Sequence, residues 1–331
     1  MTQPASSHIV AVTGATGFVS RHVVRKLVAS GMHVRCLVRS REKAAASIPA
    51  PGEHVDWVYG SVQDEHALDQ LTASATAIVH TIGIRRELPP DVTYTKLHPG
   101  ATRVVIAAAR RNDVDRFIHI SALGTRPDAA CAYHQSKYES EQLVRSSGLL
   151  WTILRPSLIH GADGEFVQMV KDWALGRAAP WFFMPWFAKA EVTKGFPPRP
   201  PMPVSAQIQP ISVDDVALAV ERALERDEAI GEVYPLTGPE TYDWPELLRS
   251  IRDAVPLADG RKKPVPIPGM LGVVQAGCAS KLGIAAALPF GPSEPRMAME
   301  DSIASTAKVE QHLGFEPQPF ADALAQYASE I

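Results

Sequence analysis

Short β-branched runs alternate with apolar positions at helical spacing through the first half of the chain. Ile9–Thr13, Val34–Val38, His54–Tyr59, Ala77–Thr81, Phe117–Ser121 and Trp151–Arg155 read as strands. Between the first two, Val19, Val23, Val24, Leu27 and Val28 recur at the spacing of one helix face, and Gly31 follows where a C-terminal glycine would end the helix. Helical patterns over Glu65–Thr72, Ala101–Arg111 and Tyr133–Ser146 repeat the unit. Strands joined by crossover helices predict an α/β protein with a doubly wound parallel sheet.

After Pro156 the regularity fades. Trp181–Pro210 is rich in proline, aromatic residues and lysine, and is predicted as a long irregular loop. A helix at Val213–Arg226, a strand at Glu232–Leu236 and a helix at Trp244–Val255 follow, and Pro264–Ile331 reads as helices joined by proline-bearing connections. The expected organisation is a dinucleotide-binding core over 1–160 and a smaller, mostly helical substrate region over 161–331. Elements at about 205–240 are expected to return to the core. Asp214 and Asp215, adjacent at a helix start, suit its dipole better than they suit paired catalysis.

Composition narrows the function classes. The chain has 331 residues, 46% hydrophobic and 21% charged, with a net charge of −3, which excludes a disordered chain and gives no basic field for nucleic acid. The expected partner is a small molecule, with contact to a membrane surface or a protein complex left open. Cys36, Cys131 and Cys278 are too few and too scattered for a disulfide framework or a metal site, and the eleven histidines show no ligand spacing. The start MTQPASS has no basic region before a long apolar run, and no stretch reaches the ~18 apolar residues of a membrane helix. The expected location is the cytoplasm, with membrane association as the alternative.

The first strand runs into Thr13-Gly14-Ala15-Thr16-Gly17-Phe18-Val19-Ser20 and then into a helix. Glycine there lets the backbone bend sharply and approach a pyrophosphate, while the helix start offers free N–H groups. Strand, turn, helix and next strand together point to a Rossmann dinucleotide site. Ser20 replaces the third glycine and is small enough to serve. The second strand ends without the acid that would hold the ribose of NAD(H); it ends at Val38-Arg39-Ser40-Arg41. Arg39 can pair with a 2′-phosphate, with Ser40 and Arg41 as supporting donors, so NADP(H) is favoured over NAD(H).

Tyr133 and Lys137 lie four apart on a predicted helix and so share a face. A lysine there would lower the phenol's pKa toward proton exchange with an alcohol or carbonyl, and Ser121, ending a strand, could hold the substrate oxygen. With the glycine turn, and with Arg155-Pro156 closing the strand after this helix, the chain resembles the short-chain dehydrogenase/reductase superfamily. It is most similar to the extended or atypical type, in the epimerase-like group that includes the nucleotide-binding accessory subunit of respiratory complex I. Ser136-Lys137-Tyr138, Pro210–Ala217 and Gly231–Pro239 support this likeness, which fades after about Val255.

The resemblance implies that Thr13, Gly14, Thr16, Gly17, Phe18 and Val19 contact the phosphates and Arg39 the 2′-phosphate. It places Thr81, Ile82 and Gly83 beside a ribose, and Pro156, Ser157 and Leu158 near the nicotinamide. Tyr133 and Lys137 would move the proton and hold the nicotinamide ribose. Two positions depart from the pattern: Ser61 follows Gly60 where an aspartate is common, and His98-Pro99 stands where an asparagine is common. Three functions fit: an NADP(H)-dependent reductase of a small, moderately apolar carbonyl or alcohol; an NADPH-binding structural or assembly factor; and a nucleotide-sugar epimerase or dehydratase. Trp181–Phe187 reads first as core or an oligomer contact, and alternatively as the roof of a hydrophobic substrate pocket or a contact to a lipid or quinone.

Overall fold

The structure, a computed structural model, describes residues 8–48, 54–191, 202–283, 288 and 290–331. Its first half runs β1 (Ile9–Thr13), α1 (Phe18–Ala29), β2 (His33–Val38), α2 (Arg41–Ser47), β3 (Val55–Tyr59), α3 (Glu65–Thr72), β4 (Ala77–His80), α4 (Ala101–Arg111), β5 (Arg116–Ile120), α5 (Ala132–Arg145) and β6 (Leu150–Pro156). The second half continues with β7 (Ile159–His160), α6 (Glu165–Leu175), β8 (Met184–Glu191), β9 (Met202–Val204), β10 (Gln207–Ile208), β11 (Ile211–Ser212), α7 (Val213–Glu225) and β12 (Glu232–Leu236). It ends with β13 (Tyr242–Asp243), α8 (Trp244–Ala254), β14 (Pro264–Pro268), α9 (Gly269–Lys281), α10 (Ser293–Ala298) and α11 (Phe320–Tyr327).

Seven parallel strands form the central sheet in the order β12-β6-β5-β4-β1-β2-β3. This is the doubly wound α/β sheet that the alternating pattern predicts, and the chain reverses direction across the sheet between β1 and β4. Period-two alternation sorts the side chains to two faces. Val10 and Val12 pack with Val23, Val24 and Leu27 of α1 and Val216 and Val220 of α7. Ala11, Ile78 and Phe117 pack on the other face with Leu68, Leu71, Val105 and Val144 from α3, α4 and α5. Gly31, at φ +80°, ends α1 as its position predicts, and the Met32 N–H donates to the Leu27 carbonyl at 3.0 Å.

The region predicted as one irregular loop over Trp181–Pro210 contains strands. β8 pairs with β14 in parallel and with β9 antiparallel, so this segment is the middle of a three-stranded sheet; residues 192–201 lie outside the described residues. Its prolines hid the strand. Pro264, Pro266 and Pro268 all fall in β14, at the sheet's edge, where a missing N–H leaves no ladder bond unmade toward a further strand. A separate apolar cluster, including Trp173, Trp186, Leu247, Leu248 and Phe320, underlies this half.

Phe117 is fully buried in the second face of the central sheet. Phe117→Ala is expected to lower stability by about 3–5 kcal/mol, read as a drop in the urea midpoint with the slope unchanged.

Candidate active site

A cavity of about 1510 Å³ opens at the carboxyl ends of the central strands. Its wall takes Gly14, Thr16, Gly17, Phe18 and Val19 from the turn after β1, Arg39 from the end of β2, and Thr81, Ile82 and Gly83 from the end of β4. Tyr133 of α5 and Pro156, Ser157 and Leu158 after β6 complete that side. Thirteen of the seventeen site positions singled out from the sequence therefore share one cavity wall; Thr13, Ser40, Ser121 and Lys137 are not on it.

The glycine turn has a steric cause. Gly14 has φ +73°, and a Cβ on it would lie 3.0 Å from Thr81 Oγ1 and 3.2 Å from Ile82 Cγ1. The Gly17 N–H donates to the Gly14 carbonyl at 2.9 Å, and no side chain caps α1, whose first N–H groups face the turn. Thr81 Oγ1 donates to the Thr13 carbonyl at 2.6 Å and accepts from the Ser20 hydroxyl. Ser20, buried at the third small position, thus ties the start of α1 to the end of β4. Thr13 does not reach the cavity: its hydroxyl is 2.8 Å from His80 Nδ1 inside the sheet.

At the end of β2, Arg39 is exposed on the cavity wall and makes no ion pair among the described residues. Its expected supports are used elsewhere. Ser40 caps α2, accepting from the Lys43 N–H at 3.2 Å and donating to Glu42 at 2.6 Å, while Arg41 lies over the Tyr59 ring at 4.7 Å.

Lys137 is 4% exposed and donates from Nζ to the Ile120 carbonyl at 3.0 Å. A Cβ on Gly83 would lie 3.0 Å from that Nζ, so glycine makes room for the ammonium behind the cavity wall. Burial lowers the lysine's pKa to about 8, with Glu141 pulling the other way. Tyr133 lies edge-on to His98 and Tyr94, with ring centres 5.6 and 5.9 Å apart. Its phenol is pushed up to about 12, by burial first and Cys131 next, with Arg85 lowering it. The expectation that Lys137 lowers this pKa is corrected: the cation acting on the phenol is Arg85, and the lysine charge is turned to a carbonyl.

Ser121 is likewise corrected as a substrate-orienting hydroxyl. It is 3% exposed and donates to Glu141 Oε1 at 2.6 Å, and Arg155 grips the same carboxylate through Nε at 2.8 Å and Nη2 at 2.6 Å. A carboxylate is a stronger acceptor than a neutral carbonyl, so the hydroxyl is held inside the fold.

His98 accepts from the Ile84 N–H at Nε2 (3.0 Å), which places its own proton on Nδ1 for donation to Ser136 Oγ at 2.7 Å. Ser136 in turn donates to the Tyr133 carbonyl at 2.8 Å. Burial first, then Lys137, lowers the histidine to about 2, so the ring is neutral and both nitrogens are occupied. It joins the loop after β4 to α5 and carries no proton outward. Pro99 follows it inside a wide π-helical turn, Lys96–Gly100, where the missing N–H is accommodated.

Residues 14–173 match the NAD(P)H-binding family. The chain is 25% identical over 325 residues to the 40 kDa subunit of NADH-ubiquinone oxidoreductase of Neurospora crassa, covering 97% of this chain and 78% of that protein. Residues 14–173 are an NAD(P)H-binding domain, and the chain has the Rossmann fold. Subunit 9 of the mitochondrial NADH dehydrogenase (ubiquinone) 1 alpha subcomplex of Dictyostelium discoideum is 25% identical over 248 residues, 74% of this chain and 63% of that protein. A ceramide reductase of Caulobacter vibrioides is 32% identical over 153 residues, 46% of this chain and 47% of that protein. The chain thus spans between about half and four fifths of these relatives. An NADPH-dependent quinone oxidoreductase from Escherichia coli, 17% identical, shares the fold with a TM-score of 0.68 over 96% of this chain and 99% of its own.

The partner expectation, which put a small molecule first and left contact with a membrane surface or a protein complex open, is corrected in its order: several relatives are by name subunits of the respiratory NADH dehydrogenase. Among the described residues no helix is long and apolar enough to cross a membrane.

The sequence reading left out Arg85, Trp244, Phe290 and Glu294, all on the cavity wall. They come from loops and short helices far apart in the chain, and no local pattern marks them. Trp181–Phe187 does reach this wall, which favours the pocket-roof reading of that run.

Lys137 supplies a pH test. Its folded pKa of about 8 lies below the unfolded value of 10.5, so between these the unfolded chain holds the extra proton. Stability relative to Lys137→Met is expected to rise with pH across that window, by on the order of 3 kcal/mol at full titration. Denaturant melts at several pH values check this; a difference that is flat or falls would refute the burial of the charge.

Proposed function

We propose that the protein is an NADP(H)-dependent reductase or dehydrogenase acting on a carbonyl or alcohol of a small, moderately apolar molecule. The single observation carrying this reading is that Tyr133 and the glycine turn share the wall of one cavity. Thr16, Gly17, Phe18 and Val19 would hold the pyrophosphate at the start of α1, Arg39 the 2′-phosphate, and Pro156, Ser157 and Leu158 the nicotinamide side. Bound there, NADPH would supply a hydride to the carbonyl carbon. Tyr133 gives its phenolic proton to the oxygen as the C=O π bond becomes a C–O–H group. Lys137 stays behind the wall beside Gly83, donating to the Ile120 carbonyl, and the residues after 161 furnish the substrate region.

The phenol's high resting pKa keeps it protonated throughout the neutral range. The ceramide reductase among the relatives supports turnover. A second reading, an NADPH-binding subunit without turnover, is supported by the names of the NADH dehydrogenase relatives. The cavity beside Tyr133 favours the first, because a fixed ligand needs no room for a substrate.

Tyr133→Phe is expected to lower turnover by at least about a hundredfold while changing the NADPH dissociation constant little. Residual turnover near wild type would remove Tyr133 from the chemistry. Arg39→Ala is expected to weaken NADPH binding by about tenfold or more and NADH binding little, measured by nicotinamide fluorescence titration. Equal losses for both cofactors would contradict the 2′-phosphate assignment.

A further inference from the structure

The cavity extends well past what the cofactor-side residues enclose. Its volume of about 1510 Å³ takes in the dinucleotide side as well as this extension. The far wall is built from Trp173 of α6, Trp186 and Phe187 of β8, Trp244 and Leu248 of α8, and Phe290. Met169 and Met297 add flexible side chains that adapt to an irregular guest.

One acid interrupts this wall. Glu294 of α10 is 8% exposed and lines the same cavity as Tyr133. Its Oε2 accepts the Gly291 N–H at 2.9 Å, while its Oε1 has no hydrogen-bond partner among the described residues. Burial first raises both the Glu294 carboxyl and the Tyr133 phenol, the carboxylate adds a smaller push on the phenol, and Arg85 pulls both the other way. Buried acceptors are nearly always satisfied, so a carboxylate oxygen left over on a cavity wall marks a position for a donor from a ligand. The Trp186 indole N–H, on the apolar wall, is a second buried group with no partner.

We infer that the substrate is an amphiphile: an oxo or hydroxy head carrying a neighbouring O–H or N–H that donates to Glu294, on a long alkyl or prenyl chain lying in the aromatic chamber. This rests on the reductase reading for which end of the molecule reacts. The chamber's apolar wall would exclude water from the chain, and the carboxylate sets which head group enters beside Tyr133. A plain ketone of equal length leaves the Glu294 oxygen unpaired and binds more weakly.

The test uses 1-hydroxyalkan-2-ones and plain 2-alkanones of eight, twelve and sixteen carbons, kept below micelle-forming concentrations. Binding is read with NADP⁺ present by quenching of tryptophan fluorescence, and NADPH oxidation is read separately. Binding is expected to tighten by at least about tenfold from eight to sixteen carbons. The hydroxyketones should bind about tenfold better than plain ketones in the wild type, and E294A should erase that preference. A dissociation constant flat across chain length, or equal for the two ketone series in the wild type, overturns the inference. Length-dependent, hydroxyl-dependent binding with no NADPH oxidation supports the amphiphile site and overturns the reductase reading instead. The wild-type comparisons need no variant, so they stand even where E294A fails to fold.

Discussion

The site is organised around a lysine ammonium buried against a main-chain carbonyl. Lys137 reaches the end of β5 and donates to Ile120, at a point where Gly83 leaves space for it. A buried cation is costly unless it is hydrogen-bonded, and its field acts on whatever shares its low-dielectric surroundings. Burial first, with Lys137 a lesser cause, lowers His80 to about 3, His98 to about 2 and His119 well below the usual value. Their neutrality fixes how they bond: His98 accepts a backbone N–H from the β4 loop and donates to α5, and His80 lies between Thr13 and Thr102. The wall bearing Tyr133, the loop after β4 and the end of β1 are therefore tied together by these neutral, hydrogen-bonded rings.

The sheet and the phosphate turn were legible because their constraints are local. Strand alternation, the helix period of α1 and the glycines at 14 and 17 each express a backbone requirement within a few residues. The structure adds the partners that make those residues necessary: Thr81 and Ile82 for Gly14, and Thr81 again for Ser20. Arg39 was legible for the same reason, since it ends a strand beside that turn.

What was not legible depends on distant contacts. Ser121 ends a strand whether it faces substrate or protein, and the choice is made by Glu141 and Arg155. The phenol's pKa could not be read from the spacing of Tyr133 and Lys137, because shared helix face says nothing about where Nζ finds its acceptor. β14 was masked by prolines that an edge strand tolerates and β8 by the proline-rich sequence around it, and with them went the aromatic chamber. Glu294 belongs to a six-residue helix with no pattern of its own. The names of the relatives pull between subunit and enzyme, and no local sequence pattern chooses between them.

The most direct test follows the hydride itself. The protein is loaded with NADPH deuterated at the transferring position of C4, given a long-chain hydroxyketone, and the products are read by mass spectrometry. The account predicts an alcohol carrying one deuterium on the former carbonyl carbon, with matching NADP⁺. Bound NADPH that keeps its label while the ketone is recovered unchanged would contradict it.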